Sequence, residues 1–518
     1  MDQQPYVEDS LKKRYFSKLG AKFVGIPIAF LTAAIVPRGL GVNAYGNYNF
    51  ITDFFMKLTA NFDIGTSTYF YNKLSQRPNE SSLIRFYLGF VVIMSLLMVL
   101  FVASLFIINK QGIIFIGQEP RFVWLGLFWG LLYWFYQIVY KIVDAYGLTV
   151  KGEFAIVGKQ LIGLCLLGLL FTLGKFSLSI FFTYHFFMFI LMLFFWWKIL
   201  RKNNIRLFPS ERLNKTLIKS YSREFYEFSM PLFIGGIFTF FLAFADRWML
   251  QLFGGSKEQG LYSLAFKVGS LCFLFTRSMT PLFQREISRA YGENNIDEMG
   301  RLFLRFVPML YSVAACIATF FFFQSDKVSL LVGGESFKGA SVSLALMSLY
   351  PIHQTYGQLN SAVYFASGRT KLYRNIGLSM TLFGLLVTYL FLAPKEQWGL
   401  NLGSMGLALK MVLITIIGQN ILLWFNTKLL KISFIKLLGH QFKAVIIIGG
   451  AAGLATLISD YIIGNIVLSL ITAGLIYMIL LMGILYWFPS LFSTNRSEII
   501  QNVRLVKQRL IGLNKLWK

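Results

Sequence analysis

QLFGGSKEQGLYSLAFKVG, residues 251–269, has a counterpart near the N-terminus in RGLGVNAYGNYNFITDFF, residues 38–55. Both run glycine, a short polar turn, glycine, one residue, tyrosine, and then the start of an apolar helix. Aligning Gly46 with Gly260 pairs Tyr48 with Tyr262, Asp53 with Lys267 and Asp63 with Arg277. A unit that recurs at corresponding points of two halves predicts a duplicated chain. With six helices, an even number, in each half, the halves run parallel and are related by a pseudo-twofold axis along the membrane normal.

The composition sets the solvent. Of 518 residues, 56% are hydrophobic and 14% charged, mean hydropathy is +0.61, and 54 residues are phenylalanine. A soluble chain of this length needs far more polar surface, so the class is all-α and polytopic. A hydrocarbon core of about 30 Å takes about 20 residues per helix. Runs of that length fall at 19–37, 44–62, 84–108, 121–143, 154–174, 177–200, 228–253, 260–283, 303–324, 340–365, 372–393, 401–426, 440–460 and 463–488, which makes 14 spans. The second is the least regular, being interrupted by Asp53, Lys57 and Asp63. The layout divides into an N-lobe (1–200), an inter-lobe link (201–227), a C-lobe (228–426), two extra helices (427–490) and a basic tail (491–518).

The net charge of +26 follows topology. Lys and Arg crowd the N-terminal segment, the 201–224 connection, Arg285 to Arg305, Arg369 to Arg374, Lys428 to Lys436 and the tail, while the alternate loops carry scattered ones such as Lys110, Lys175, Lys257 and Lys395. By the positive-inside rule both termini are cytoplasmic, and the charge is no sign of a nucleic-acid partner. Connections are too short for a soluble catalytic domain. The first span lacks a small-residue cleavage site and is followed by others, so no cleavable leader is expected. Cys165, Cys272 and Cys316 have no paired spacing and point to neither disulfides nor metal. In the tail, Ile499, Val503, Val506 and Leu510 recur at helical spacing among Arg504, Lys507 and Arg509, which fits an amphipathic helix on the membrane surface or one packed on the bundle. Pro27, Pro231, Pro281 and Pro351 are expected kinks or hinges.

Four stretches carry a likeness: RGLGVNAYGNY (38–48), ADRWMLQLFGGSKEQGLYSLA (245–265), LLVGGESFKGAS (330–341) and ASGRTKLYR (366–374). In their order and spacing the chain resembles the polysaccharide transporter, or O-antigen flippase, family of the multidrug/oligosaccharidyl-lipid/polysaccharide flippase superfamily. The resemblance implies a flippase of the bacterial inner membrane, not an enzyme. Its cargo would be a polyprenyl-pyrophosphate-linked oligosaccharide repeat unit, moved by alternating access about a hydrophilic cavity for surface polysaccharide such as lipopolysaccharide O-antigen. Membrane lipids, a polysaccharide polymerase and assembly proteins are the implied partners. No cofactor is implied, and the coupling ion, proton or sodium, stays open.

Ionisable groups inside spans are costly, about 2.5–3.5 kcal/mol each on insertion scales, so they tend to face a cavity. Lys57, Lys159, Lys267, Arg277 and Lys410 are candidates for a cationic path with successive weak sites for phosphate oxygens. Snorkelling to headgroups is the alternative for Arg277 and Lys141. Lys57 and Asp53 are four residues apart and can pair on one helix face. Asp246, Arg247, Arg38 and Asp53 are candidates for a gate or lobe contact, the alternative for Asp246 and Arg247 being a salt bridge that fixes helix packing. His353, Gln354, Gln358 and Asn360, behind Pro351, form a polar patch that either meets sugar hydroxyls, shuttles a proton, or satisfies backbone groups freed by the proline.

Rival readings are a peptidoglycan lipid-precursor flippase, a cation-coupled drug exporter, and a membrane glycan polymerase or acyltransferase. The exporter favours buried acids, and the interior here is richer in bases. The enzymes need a long outer loop or a histidine with catalytic partners, and His185, His353 and His440 stand apart in sequence.

Overall fold

Helix formation follows from the solvent: in hydrocarbon every backbone N–H and C=O must be met within the chain. A computed structural model describes residues 11–208, 213–498 and 501, and no strand occurs among them. The helices are α1 (Leu11–Asp63), α2 (Thr66–Gln76), α3 (Ser81–Ile107), α4 (Gln111–Ile114), α5 (Pro120–Ala145), α6 (Thr149–Thr172), α7 (Leu178–Lys202) and α8 (Lys215–Gly269). They continue with α9 (Leu274–Gly292), α10 (Ile296–Phe323), α11 (Ser325–Gly333), α12 (Ser341–Ala366), α13 (Thr370–Leu392), α14 (Gly403–Leu430), α15 (Phe434–Ile462) and α16 (Ile466–Trp487).

The duplication is visible element by element. α1 to α7 and α8 to α14 each run long helix, shorter helix, span, short helix and then three helices of 23–28 residues, and α15 and α16 follow as the extra pair. The ends match too. α5 stops with Gly147 N–H to Asp144 C=O and Leu148 N–H to Val143 C=O; α12 stops with Gly368 N–H to Phe365 C=O and Arg369 N–H to Tyr364 C=O. These are the two bonds of the same C-terminal motif.

α1 breaks at Gly41 (φ 73°, ψ 168°) and α8 at Gly255 (φ 67°, ψ −168°). The register that pairs Gly46 with Gly260 also pairs these two. Such angles are essentially open to glycine alone. The expected proline hinges are therefore not where helical geometry fails: α1 continues through Pro27, and α9 and α12 through Pro281 and Pro351. Proline keeps a helical φ and gives up one hydrogen bond, whereas Gly41 and Gly255 leave helical space altogether.

Of the expected spans, 19–37 and 44–62 are the two legs of α1, and 228–253 lies in α8 before its break. By length and apolarity ten helical segments among the described residues qualify as membrane spans, so the count of 14 is not recovered. One cause is the joining of the first two spans. Another is that α12, with His353, Gln354, Gln358 and Asn360 along its length, is not among the ten. The chain is a multi-pass membrane protein. The tail over 502–518 lies outside the described residues.

Packing divides the chain into two compact units, Met1–Gly260 and Leu261–Lys518, with the division inside α8, beyond the 201–227 link. In the first unit the beginning of α8 is bound to α2 and α3. Tyr69 Oη donates to Glu224 at 3.1 Å, and Ser82 Oγ lies 2.9 Å from Tyr221 Oη. Burial, with Glu224 as acceptor, pushes the Tyr69 phenol up to about 12, so it remains a donor at neutral pH.

In the same unit the legs after the two breaks meet reciprocally. A Cβ on Gly46 would lie 1.8 Å from the Ser256 carbonyl oxygen, and one on Gly260 would lie 2.1 Å from that of Val42. Val42 and Ser256 are themselves partners in the repeat, so each copy places its glycine against the other's first turn. Glycine at both positions, with no Cβ, permits this backbone approach.

In the second unit α15 and α16 attach to α10. Tyr477 Oη donates to the Cys316 carbonyl at 2.8 Å, Gln324 Nε2 donates to Thr456 at 2.9 Å, and buried alanines of α10 and α15 (Ala315, Ala318, Ala452, Ala455) bring the helices close.

Gly46→Ala and Gly260→Ala are each expected to destabilise the protein by about 1–3 kcal/mol, as overpacking does. Gly89→Ala, whose Cβ would meet nothing within 4 Å, is the control. Thermal melts of the full chain in detergent check this. Equal melting of all three variants would mean that the crossing is not as described.

Candidate functional site

On the second leg of α1, Lys57 Nζ lies 2.5 Å from Asp53 Oδ2 and donates to the Ala243 carbonyl of α8 at 2.9 Å. The i,i+4 spacing supplies the first partner, and the approach of α8 supplies the second. Both side chains keep partial access to solvent, so Lys57 is a compensated cation that also ties two helices together.

At the end of the same helix Asp63 gathers donors. It accepts from Ser67 Oγ (2.6 Å), Tyr87 Oη (3.0 Å) and Trp134 Nε1 (3.2 Å), and Lys141 Nζ donates to Ser67 Oγ at 2.5 Å. Lys141 is thus turned into the unit, onto the first turn of α2. Asp144, at the end of α5, pairs with Lys18 at 3.1 Å and accepts from Thr149 Oγ1 at 2.6 Å. Neither acid was singled out as a site residue. The sequence signal for Asp63 is the Thr66–Ser67 pair at a helix start.

Lys159 of α6 stands apart from these pairs, its ammonium 4.7 Å from the Tyr136 ring centre and 5.4 Å from that of Phe189. Arg247 donates from Nη1 to Gln259 Oε1 at 3.1 Å, and Gln259 Nε2 returns a bond to the Arg247 carbonyl across the Gly255 break. Asp246 is half-buried on the neighbouring face and Arg38 is exposed.

In the second unit Lys410 is 6% exposed, and its Cε lies 3.0 Å from the place a Cβ on Gly384 would occupy. The glycine of α13 makes room for the lysine of α14. Lys267 is exposed on the last turns of α8, and the side chain of Arg277 lies outside the described residues. The polar patch of α12 faces more than one helix. The His353 ring is edge-on to Tyr311 at 5.7 Å, and Gln358 accepts from Thr280 Oγ1 at 3.2 Å; Gln354 is half-buried. Asn360 of the same patch accepts from Asn426 Nδ2 at 3.1 Å, and beyond it Gln441 Nε2 donates to Asn420 Oδ1 at 2.9 Å; Asn426, Gln441 and Asn420 were not expected as site residues. Their sequence signal is an amide inside an apolar run. Among the described residues no three His, Cys, Asp or Glu side chains group to hold a metal ion.

The profile of the family described as polysaccharide biosynthesis protein matches residues 11–283, more than half of the chain. The chain belongs to that family. No curated protein matches its sequence. Among solved structures, this family member is similar to one titled lipid II flippase MurJ, inward closed conformation, with 13% identity and a TM-score of 0.66 over 91% of this chain and 98% of that one. It is also similar to an inward-facing multidrug resistance MATE family transporter of the MOP superfamily, with 15% identity and a TM-score of 0.60 over 79% and 95%. A third is a MOP superfamily transporter from Pyrococcus furiosus whose title reports reverse polarity of its binding pocket, with 15% identity and a TM-score of 0.52 over 84% and 100%. At these identities the likeness is one of fold, and the family member has the fold of MOP superfamily transporters.

A double-mutant cycle on Lys57→Ala and Asp53→Ala, read from melting of the full chain, is expected to give a coupling of roughly 0.5–3 kcal/mol. The double variant stays below wild type because the bond to Ala243 is also lost. Zero coupling would mean that the pair does not form.

Proposed function

We propose that the protein is a flippase that carries a polyprenyl-pyrophosphate-linked oligosaccharide repeat unit across the bacterial inner membrane, with both termini cytoplasmic, for surface polysaccharide such as O-antigen. The observation that carries this reading is the family match over residues 11–283, in a chain whose fold covers 98% of a lipid II flippase. It is a transporter rather than an enzyme, and its partners are the lipid-linked glycan, membrane lipids, and the polymerase and assembly proteins that take up the product.

The physical problem is to move a charged pyrophosphate and a hydroxyl-rich glycan through hydrocarbon. Ionised groups in a low-dielectric medium cost tens of kcal/mol by Born solvation unless they are paired. Lys57, Lys159, Lys267, Arg277 and Lys410 are proposed as the spaced cations that answer the phosphate oxygens in turn. Each binds weakly enough to release its load. Alternating access then needs contacts that form and break, and Arg38, Asp53, Asp246 and Arg247 are proposed for these. His353, Gln354 and Gln358 supply donors and acceptors suited to sugar hydroxyls. A proton or sodium gradient would drive the cycle.

The fold likeness to the lipid II flippase favours one second reading, a peptidoglycan lipid precursor as cargo. Deletion in the native host separates the two. The proposal predicts lost surface polysaccharide, accumulated lipid-linked repeat unit and an intact cell wall; lysis with normal polysaccharide would replace it with the second reading. Complementation with Lys267→Ala/Lys410→Ala is expected to restore little export, and full restoration would remove these two cations from the path.

A further inference from the structure

One face of α5 carries Trp129, Tyr133, Tyr136 and Tyr140, at steps of four, three and four residues. Their rings form a ladder: Trp129 stacks on Tyr133 at 5.2 Å and 4°, and Tyr133 on Tyr136 at 6.4 Å and 21°. α7 closes one side, with Trp196 against Tyr136 at 4.7 Å and against Tyr140 at 5.6 Å, and Phe189 against Tyr136 at 5.5 Å. At 1.5 Å per residue the ladder runs about 16 Å along the helix. Tyr133, Tyr136 and Tyr140 keep partial exposure.

The polar groups along this ladder are unbalanced. Lys159 Nζ is held by the faces of Tyr136 and Phe189, and among the described residues it has no ion pair. The indole N–H groups of Trp129 and Trp196 are fully buried, that of Trp129 facing Tyr48, and neither is open to a ligand. The one acid of α6, Glu153, accepts from Tyr140 Oη at 3.1 Å. The unmatched acceptor of α6, Gln160 Oε1, lies at Gly25 of α1. What the ladder leaves open to a ligand is thus the lysine cation and three half-exposed tyrosines.

A complementary ligand brings acceptor oxygens, at least one of them charged, and C–H groups that lie on aromatic faces. An acyl chain offers the second property and not the first. The Lys159 ammonium is turned onto the faces of Tyr136 of α5 and Phe189 of α7, into the helix cluster rather than out toward a headgroup. We propose that the α5 ladder and Lys159 form a subsite for an acidic sugar residue, the rings carrying the pyranose face and the ammonium its carboxylate. This rests on the reading of the protein as a glycan flippase and narrows the cargo to a repeat unit that contains a uronic acid.

The test uses the full chain in lipid nanodiscs, with tryptophan fluorescence titrated by cellobiose, by its uronate counterpart cellobiouronic acid, and by inorganic pyrophosphate. A charge-assisted bond predicts roughly tenfold tighter binding of the acidic disaccharide. Lys159→Gln is expected to abolish that preference and Lys159→Arg to restore it, with melting curves confirming that both fold. Tyr133→Leu should weaken both disaccharides by the same factor. Equal binding, no measurable binding of either sugar, or a preference that survives Lys159→Gln would overturn the proposal. So would pyrophosphate binding that depends on Lys159 while the sugars do not, since the lysine would then serve only the phosphate path proposed above and no sugar carboxylate. If the deletion strain still lacks surface polysaccharide, such a failure removes the subsite and leaves the transport reading intact. If that strain makes its polysaccharide normally, the transport reading itself fails.

Discussion

A bilayer core contains no water to take up an unmet hydrogen bond, and this constraint organises the protein from backbone to cargo. It makes every described span helical, and it makes polar side chains answer one another across helices. Asp63 is met by Ser67, Tyr87 and Trp134; Lys57 by Asp53 and the Ala243 carbonyl; Asn360 by Asn426. Beside the α5 ladder, Lys159 is met by aromatic faces, which answer its charge less fully than an anion does.

Duplication supplies the second organising element. Two copies of one sequence unit break their helices at glycines with nearly the same backbone angles, and each then places a glycine against the other's first turn. The contact is made by backbone and small residues, with no long side chain interposed.

How much was legible in the sequence differs by level. Hydropathy adds up along the chain, so the all-α membrane class and most single spans follow from it, whereas the expected 260–283 span is broken between the end of α8 at Gly269 and the start of α9 at Leu274. The two-copy register was legible from Gly46, Tyr48, Gly260 and Tyr262. Hinges were expected at prolines, but the breaks came at Gly41 and Gly255, since only a backbone angle closed to other residues distinguishes a true break from a helix that tolerates a missing bond. The Lys57–Asp53 pair follows from local spacing. Its second partner, Ala243, is 186 residues away and belongs to tertiary structure. Likewise the spacing of Trp129, Tyr133, Tyr136 and Tyr140 is plain in the sequence, but which residue of α6 points at them is not.

The central claim is that this polysaccharide biosynthesis family member moves a lipid-linked glycan between leaflets. The most direct measurement reconstitutes the full chain into vesicles that contain a polyprenyl-pyrophosphate trisaccharide in both leaflets, and follows oxidation of the sugar by external, membrane-impermeant periodate. The account predicts that the protein exposes the inner-leaflet pool, so that oxidation runs past the outer-leaflet fraction reached in protein-free vesicles. Oxidation that stops at the same fraction with and without correctly folded protein, under either a proton or a sodium gradient, would contradict it.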